Sequence, residues 1–250
     1  MLAIARKTAI REQLQEHKSV RIADLATQLN VTKETIRRDL KEMEENNELI
    51  RTHGGAYILD GVQNDLDPHL RKVIKVPEKE IIAQKCSSLI LAGDYIFLDG
   101  STTCWSIARM LTGRKITVLT SSLEIANILA DSGTVKLHVI GGKFSSDYMD
   151  FVGVGTIRAL ENYYVDKAFI SCRSVDLEYG ITDTNDDRAK LHQTALAHAN
   201  QKYLVFDHSK INNVSFSFIA PLTDVDGVIT DCTLPTEWQE YLAEHQIDIY

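Results

Sequence analysis

Six short apolar runs recur from residue 95 onward: "YIFLD" at 95–99, "ITVLT" at 116–120, "VKLHVI" at 135–140, "KAFIS" at 167–171, "YLVFD" at 203–207 and "GVIT" at 227–230. Each has the length of a strand, and helical patterns fill most of the gaps between them. Strands this apolar are buried on both faces, and alternation with helices makes the sheet largely parallel. The pattern therefore predicts an α/β domain. It also predicts where chemistry would sit, because such sheets hold ligands at the carboxyl ends of their strands, where the loops begin.

Those loops are small and polar. The first strand runs into Asp99, Gly100, Ser101, Thr102 and Thr103, the second into Thr120, Ser121 and Ser122, and the third into Gly141, Gly142 and Lys143. Glycine and hydroxyls ahead of a helix suit an anion, since backbone N–H groups and the helix dipole point at it. A serine or threonine at one helix start is usually only an N-cap. Three successive strand ends of this kind point to a shared phosphate pocket, to which "FDHSK" adds Asp207 and Lys210.

The first 57 residues are different. Apolar Ala9, Ile10 and Leu14 mark one helix, and Ile22, Leu25, Ala26 and Leu29 a second. Asn30 suits a left-handed helix end and Thr32 an N-cap, so a tight turn leads into a third helix. Two short helices joined in this way form a helix-turn-helix. At about 100° per residue, Ile36, Leu40 and Met43 share one stripe. Glu34, Arg38 and Lys41 lie opposite, flanked by Lys33, Thr35 and Arg37. A recognition helix needs such a face: phosphate contacts for affinity and arginines for guanine edges. Two extended runs around Gly54–Gly55 then predict a β-hairpin wing carrying Arg51 and His53.

Charge supports a DNA-reading module on an acidic body. The chain carries −8, but residues 1–57 hold 10 basic and 9 acidic side chains, against 17 and 26 in the rest. Only the local field at a docking face matters for binding. No apolar run is long enough to span a membrane, and the charged N-terminus has no signal-peptide core. Cys86, Cys104, Cys172 and Cys232 lie far apart, and the eight histidines show no metal-ligand spacing. We therefore expect a soluble cytoplasmic protein without metal or cofactor. Expected boundaries are 1–57 for the DNA-binding domain, 58–78 for a linker and 79–250 for the α/β domain.

"VTKETIRRDLKEMEENNELIRTHGGA" resembles the N-terminal signature of the DeoR family of bacterial transcription regulators. "AGDYIFLDGSTT", "VLTSSLEIANILA", "VIGGKF", "GITDTN" and "FDHSKIN" resemble that family's sensor domain. The resemblance implies a winged helix-turn-helix joined to a fold related to ribose-5-phosphate isomerase. It also implies a double-stranded DNA operator, a phosphorylated sugar as effector, and no catalysis. With so few phosphate contacts per module, a homodimer or homotetramer is expected. The chain departs from the family at the D-S-G-T-T loop, here Asp99-Gly100-Ser101-Thr102-Thr103. It departs again at the E-E-A-x-x-K-R helix, here Asp187-Arg188-Ala189-Lys190-Leu191-His192-Gln193. The rival reading is a sugar-phosphate isomerase with an added DNA-binding domain, for which Asp166, Asp176 and Asp183 are candidate bases.

Overall fold

The computed structural model describes residues 2–17, 19–45, 48–52, 54–57 and 75–250, in two compact units that divide between Lys75 and Val76. His53 and residues 58–74 of the expected linker lie outside the described residues.

The first unit contains α1 (Ala3–His17), α2 (Ile22–Gln28) and α3 (Lys33–Glu45), with strands β1 (Ser19–Arg21), β2 (Ile50–Arg51) and β3 (Gly55–Tyr57). Ile10 and Leu14 of α1, Leu25 and Ala26 of α2, and Ile36, Leu40 and Met43 of α3 close one core. The turn between α2 and α3 ends as the sequence predicts. Asn30 adopts φ 49°, its N–H bonds to Thr27 O and that of Val31 to Ala26 O, a double closure that a left-handed residue permits. Thr32 then caps α3, its hydroxyl accepting from the Thr35 N–H at 3.2 Å. Thr32→Ala should lower the stability of this unit by about 1 kcal/mol, the usual worth of such a cap. Amide exchange in the first turn of α3 reads it, and unchanged exchange would argue against the cap.

The wing is a three-stranded antiparallel sheet in the order β1-β3-β2. β1 is an addition to the expected hairpin; three residues between two helices carry too little period to register. It explains Gly55, because a Cβ there would lie 1.9 Å from Val20 O.

The second unit holds a seven-stranded parallel sheet in the order β15-β14-β12-β9-β4-β5-β6. Its members are β4 (Tyr95–Leu98), β5 (Thr117–Thr120), β6 (Lys136–Val139), β9 (Val165–Ser171), β12 (Ala199–Phe206), β14 (Gly227–Thr230) and β15 (Asp248–Ile249). Inward residues alternate. Ile96, Leu98, Phe169 and Val205 pack against helices α4 (Val76–Leu89), α5 (Thr102–Met110) and α6 (Leu123–Leu129). Phe97, Ala168, Ile170 and Phe206 pack on the other face, against α7 (Val154–Leu160), α8 (Asp186–Ala197) and α9 (Thr236–Glu244).

Strand order reverses between β4 and β9, which opens a crevice at their carboxyl ends. Two short additions lie at that end of the chain's path. β7 (Lys143–Ser145) and β8 (Asp150–Val152) form a hairpin, and β10 (Ser174–Asp176), β11 (Gly180–Asp183) and β13 (Ser217–Ala220) form a small antiparallel sheet. Among the described residues no helix is long and apolar enough to cross a membrane.

Candidate functional site

In the first unit, internal pairing decides which cations face outward. Arg6 donates to both carboxylate oxygens of the buried Asp39, Lys7 bonds Glu42 at 2.5 Å, and Arg11 grips Glu48 at 2.6 and 3.1 Å. These pairs fasten α1 to α3 and the segment after it. The exposed end of α3 is left with Lys33, Arg37, Arg38 and Lys41, beside Glu34. Arg38 is 84% exposed and loosely paired with Glu42 at 3.5 Å; Arg37, 51% exposed, bonds Glu34 at 3.0 Å. A unit with almost no net charge thereby presents a basic helix face. The expected wing residue Arg51 is placed differently from its neighbours. Its guanidinium and its backbone N–H both bond Glu44, at 2.7 and 2.9 Å, so it ties the wing to α3.

In the second unit, the reversal point is bridged by Asp99. Wholly buried at the end of β4, it accepts from the Ser101 N–H at 2.9 Å and from the Ser171 N–H, at the end of β9, at 2.7 Å. Asp99 thus shapes the loop from within. Ser101 caps α5 through the Cys104 N–H, leaving Ser101 and Thr102 partly open and Thr103 buried. At the second strand end the hydroxyls are used internally. Thr120 donates to Leu98 O at 2.7 Å and accepts from the Ser122 N–H; Ser122 accepts from the Ile125 N–H and from Trp105 Nε1. All three residues, Thr120 to Ser122, are fully buried. Gly141 and Gly142 are exposed beside Thr156, whose hydroxyl bonds Gly141 O at 3.1 Å. Lys210 sits in a 3-10 turn (His208–Lys210) that Asp207 caps, close enough to the Cys172 thiol to oppose its rise in pKa.

Side chains outside the expected set form the floor. From α8, Arg188 lies 3.7 Å from Asp150 and 3.7 Å from Asp183, with its guanidinium 4.8 Å from the centre of the Tyr148 ring. His192, one turn on, places Nε2 3.2 Å from Asp99 Oδ2. All of these except Tyr148 are 6% exposed or less, yet both Asp150 oxygens, Arg188 Nε, both His192 nitrogens and Ser121 Oγ find no hydrogen-bond partner in good geometry among the described residues. Burial pushes the Asp150 carboxyl up to about 6, against the pull of Arg188 and the nearby Ser121 hydroxyl. Burial also opposes the Arg188 charge, but Asp183, Asp150 and Asp99 outweigh it and raise its pKa. Burial lowers that of His192, against the pull of Asp99, and so favours the neutral ring. Buried polar groups are ordinarily satisfied, so a cluster of unmet ones marks a place built for water or a ligand.

Of the candidate bases, only Asp183 belongs to this floor. Asp166 accepts the Tyr95 N–H at the opposite end of the sheet, Asp176 accepts the Glu178 and Tyr179 N–H groups in a turn, and Asp183 faces Arg188. Elsewhere His208, Asp231 and Cys232 each bring a ligand atom within 4.8 Å of the others, a grouping that their sequence separation conceals.

Residues 6–62 match the DeoR-like helix-turn-helix domain, and residues 74–232 match the DeoR C-terminal sensor domain. The chain belongs to the DeoR family. Among DeoR-family relatives, it is 34% identical to the HTH-type transcriptional regulator YulB of Bacillus subtilis, covering 100% of this chain and 96% of the relative. It is 34% identical to the transcriptional repressor GlcR of the same organism, covering 90% and 87%. The L-fucose operon activator of Escherichia coli is also 34% identical, covering 91% and 94%. Ribose 5-phosphate isomerase A of Methanocaldococcus jannaschii matches at 17% identity with a TM-score of 0.40, over 53% of each chain. The full-length sorbitol operon regulator SorC of Klebsiella pneumoniae matches with a TM-score of 0.37, over 81% of this chain and 88% of that one.

In this DeoR-family chain Arg188 and His192 carried a readable signal. They fall four apart, in phase with Ala195 and Leu196 on the buried face of α8, where a charged side chain needs a partner. Asp150 carried none, because the short hairpin that delivers it has no period of its own.

Proposed function

We propose that the chain is an operator-binding regulator of a carbohydrate-utilisation operon, and that a phosphorylated sugar bound in the crevice sets its DNA affinity. It acts in the cytoplasm as a homodimer or homotetramer and catalyses nothing. The observation that carries the reading is the loop from Asp99 to Thr103. It opens α5 toward the crevice at the point of strand reversal, over a floor of buried, unsatisfied polar groups. The names of the L-fucose operon activator and of GlcR supply the sugar-pathway context. Against catalysis stand the place of Asp166 at the opposite end of the sheet, the use of Asp176 in a turn and the pairing of Asp183 with Arg188, since an isomerase needs a free base beside the substrate carbon.

Calorimetry with paired sugars and sugar phosphates, beside an operator titration, tests the proposal. At least one sugar phosphate should bind ten times tighter than its parent sugar and shift operator affinity, because a ligand that prefers neither conformation shifts nothing. Thr102→Ala should blunt that shift. The same titration should saturate at two or four chains per operator. Equal binding of sugar and sugar phosphate, or turnover of the sugar phosphate, would overturn the reading.

A further inference from the structure

The loop opening α5 already contains an anion. A Cβ built on Gly100 would lie 2.2 Å from Asp150 Oδ2 and 2.5 Å from its carboxylate carbon, so the Asp150 side chain rests directly on the Gly100 backbone. That is where a phosphoryl group would meet the Thr102 N–H and the helix dipole, the Ser101 N–H being held by Asp99. The carboxylate is buried, its partner Arg188 stands 3.7 Å away, and neither of its oxygens has a hydrogen bond in good geometry among the described residues. Asp150 is thus placed in the loop with no well-formed hydrogen bond, held by Arg188 and the weaker pull of the Ser121 hydroxyl and the Phe151 N–H.

The delivering segment has the same provisional character. Met149 adopts φ 53°, a left-handed conformation unusual for a side chain of that size. The segment is hung on the second strand end by two bonds, from the Leu123 N–H to Met149 O at 3.0 Å and from the Phe151 N–H to Ser121 O at 2.9 Å. The charged or titratable groups facing Asp150 are Arg188, Asp99, Asp183 and His192, with the Tyr148 ring over Arg188. Arg188 is the one fixed cation among them. A guanidinium and a phosphoryl group are matched for paired hydrogen bonds, whereas Arg188 meets Asp150 only at ion-pair distance.

We propose that Asp150 is a built-in stand-in for the effector's phosphoryl group. It occupies the Gly100 cradle and holds Arg188 until a tetrahedral oxyanion displaces it, whereupon Arg188 pairs with that oxyanion. The inference rests on the crevice being the effector site. It assigns anion recognition there to Arg188, and it makes movement of the Tyr148–Asp150 segment the structural consequence of binding.

Sulfate, whose charge is constant between pH 5 and 8, is the first probe, titrated into the full-length protein by calorimetry, with inorganic phosphate and the sugar-phosphate panel after it. Asp150→Asn keeps the shape but not the charge, and should bind sulfate at least tenfold tighter than wild type. Arg188→Gln should bind it at least tenfold weaker, with Arg188→Lys between. Arg188→Gln leaves Asp150 and Asp183 uncompensated and could fail to fold. The double variant Asp150→Asn with Arg188→Gln leaves only Asp183 uncompensated, should melt above Arg188→Gln, and should still bind sulfate weakly. Gly100→Ala, which fills the cradle, should lose sulfate binding. Unchanged or weaker sulfate binding in Asp150→Asn, or wild-type binding in a folded variant lacking Arg188, overturns the assignment. If sugar phosphates bind and shift operator affinity while both substitutions leave anion affinity untouched, the effector reading stands and this inference alone falls. If no sugar phosphate binds any variant, Asp150→Asn included, both fall.

Discussion

Asp39→Ala is expected to destabilise the DNA-binding unit by about 3 kcal/mol, because it strands a buried guanidinium. Arg6 donates through both Nε and Nη2 to the two Asp39 oxygens, with the paired side chains 10% and 5% exposed. The Asp39 hydrogen bond is the largest influence raising the Arg6 pKa, ahead of the opposing effect of burial; without it the guanidinium still stays charged, because arginine is not deprotonated in proteins. The bond spans 33 residues and fixes α1 against α3, which holds the reading face in place. Amide exchange at Ile36 to Met43 should quicken by roughly a hundredfold, the factor such a loss implies. Replacing both partners, Arg6→Met with Asp39→Leu, should recover most of the loss, because an apolar pair of similar volume needs no compensation. Exchange in Asp39→Ala equal to wild type would show that the pair contributes nothing.

That pair also shows how far the sequence could be read. The inward stripe of Ile36, Leu40 and Met43 follows from helical spacing, and all three are buried. Asp39 falls between them in sequence, and its burial is not readable from spacing alone; only the arrival of Arg6 from α1 makes it possible. The parallel sheet was legible for a similar reason. Strands buried on both faces must be largely apolar, and β4, β5, β14, the last four residues of β9 and the last four of β12 are. β7, β8, β10, β11 and β13 are three or four residues long and carry polar residues on one side, so no period separates them from loops. In the crevice, the loop residues were visible because glycine and hydroxyls before a helix have a local meaning. Asp150 acquires its meaning only from Arg188, across 38 residues of chain. Thr120 and Ser122 are the converse: residue types suited to an anion whose hydroxyls the fold spends on Leu98, Ile125 and Trp105.

Arg38→Ala and Arg37→Ala should each weaken operator binding by about 1–3 kcal/mol, and they should do so in distinguishable ways. Both lie on the open face of α3, where phosphates or base edges are the available partners. Arg38 reaches furthest into solvent, and its tie to Glu42 is a loose one that Lys7 already shares. It can turn to DNA at little cost, as surface ion pairs contribute little. Arg37 must first leave Glu34, a bond of 3.0 Å one turn back. Arg38 is therefore expected to carry the larger loss. A residue on a phosphate contributes to every sequence equally, and its removal should lower the salt slope by about one. A residue on a guanine edge should leave the slope nearly intact and relax base preference at one position. Titrations of both variants against the operator and a scrambled duplex, at several salt concentrations, separate the two roles. Glu34→Gln supplies the control, since releasing Arg37 should tighten binding to both duplexes. Wild-type affinity and wild-type salt slope in both arginine variants would mean that α3 does not face the groove, and the operator interface would have to be sought on another surface of the unit.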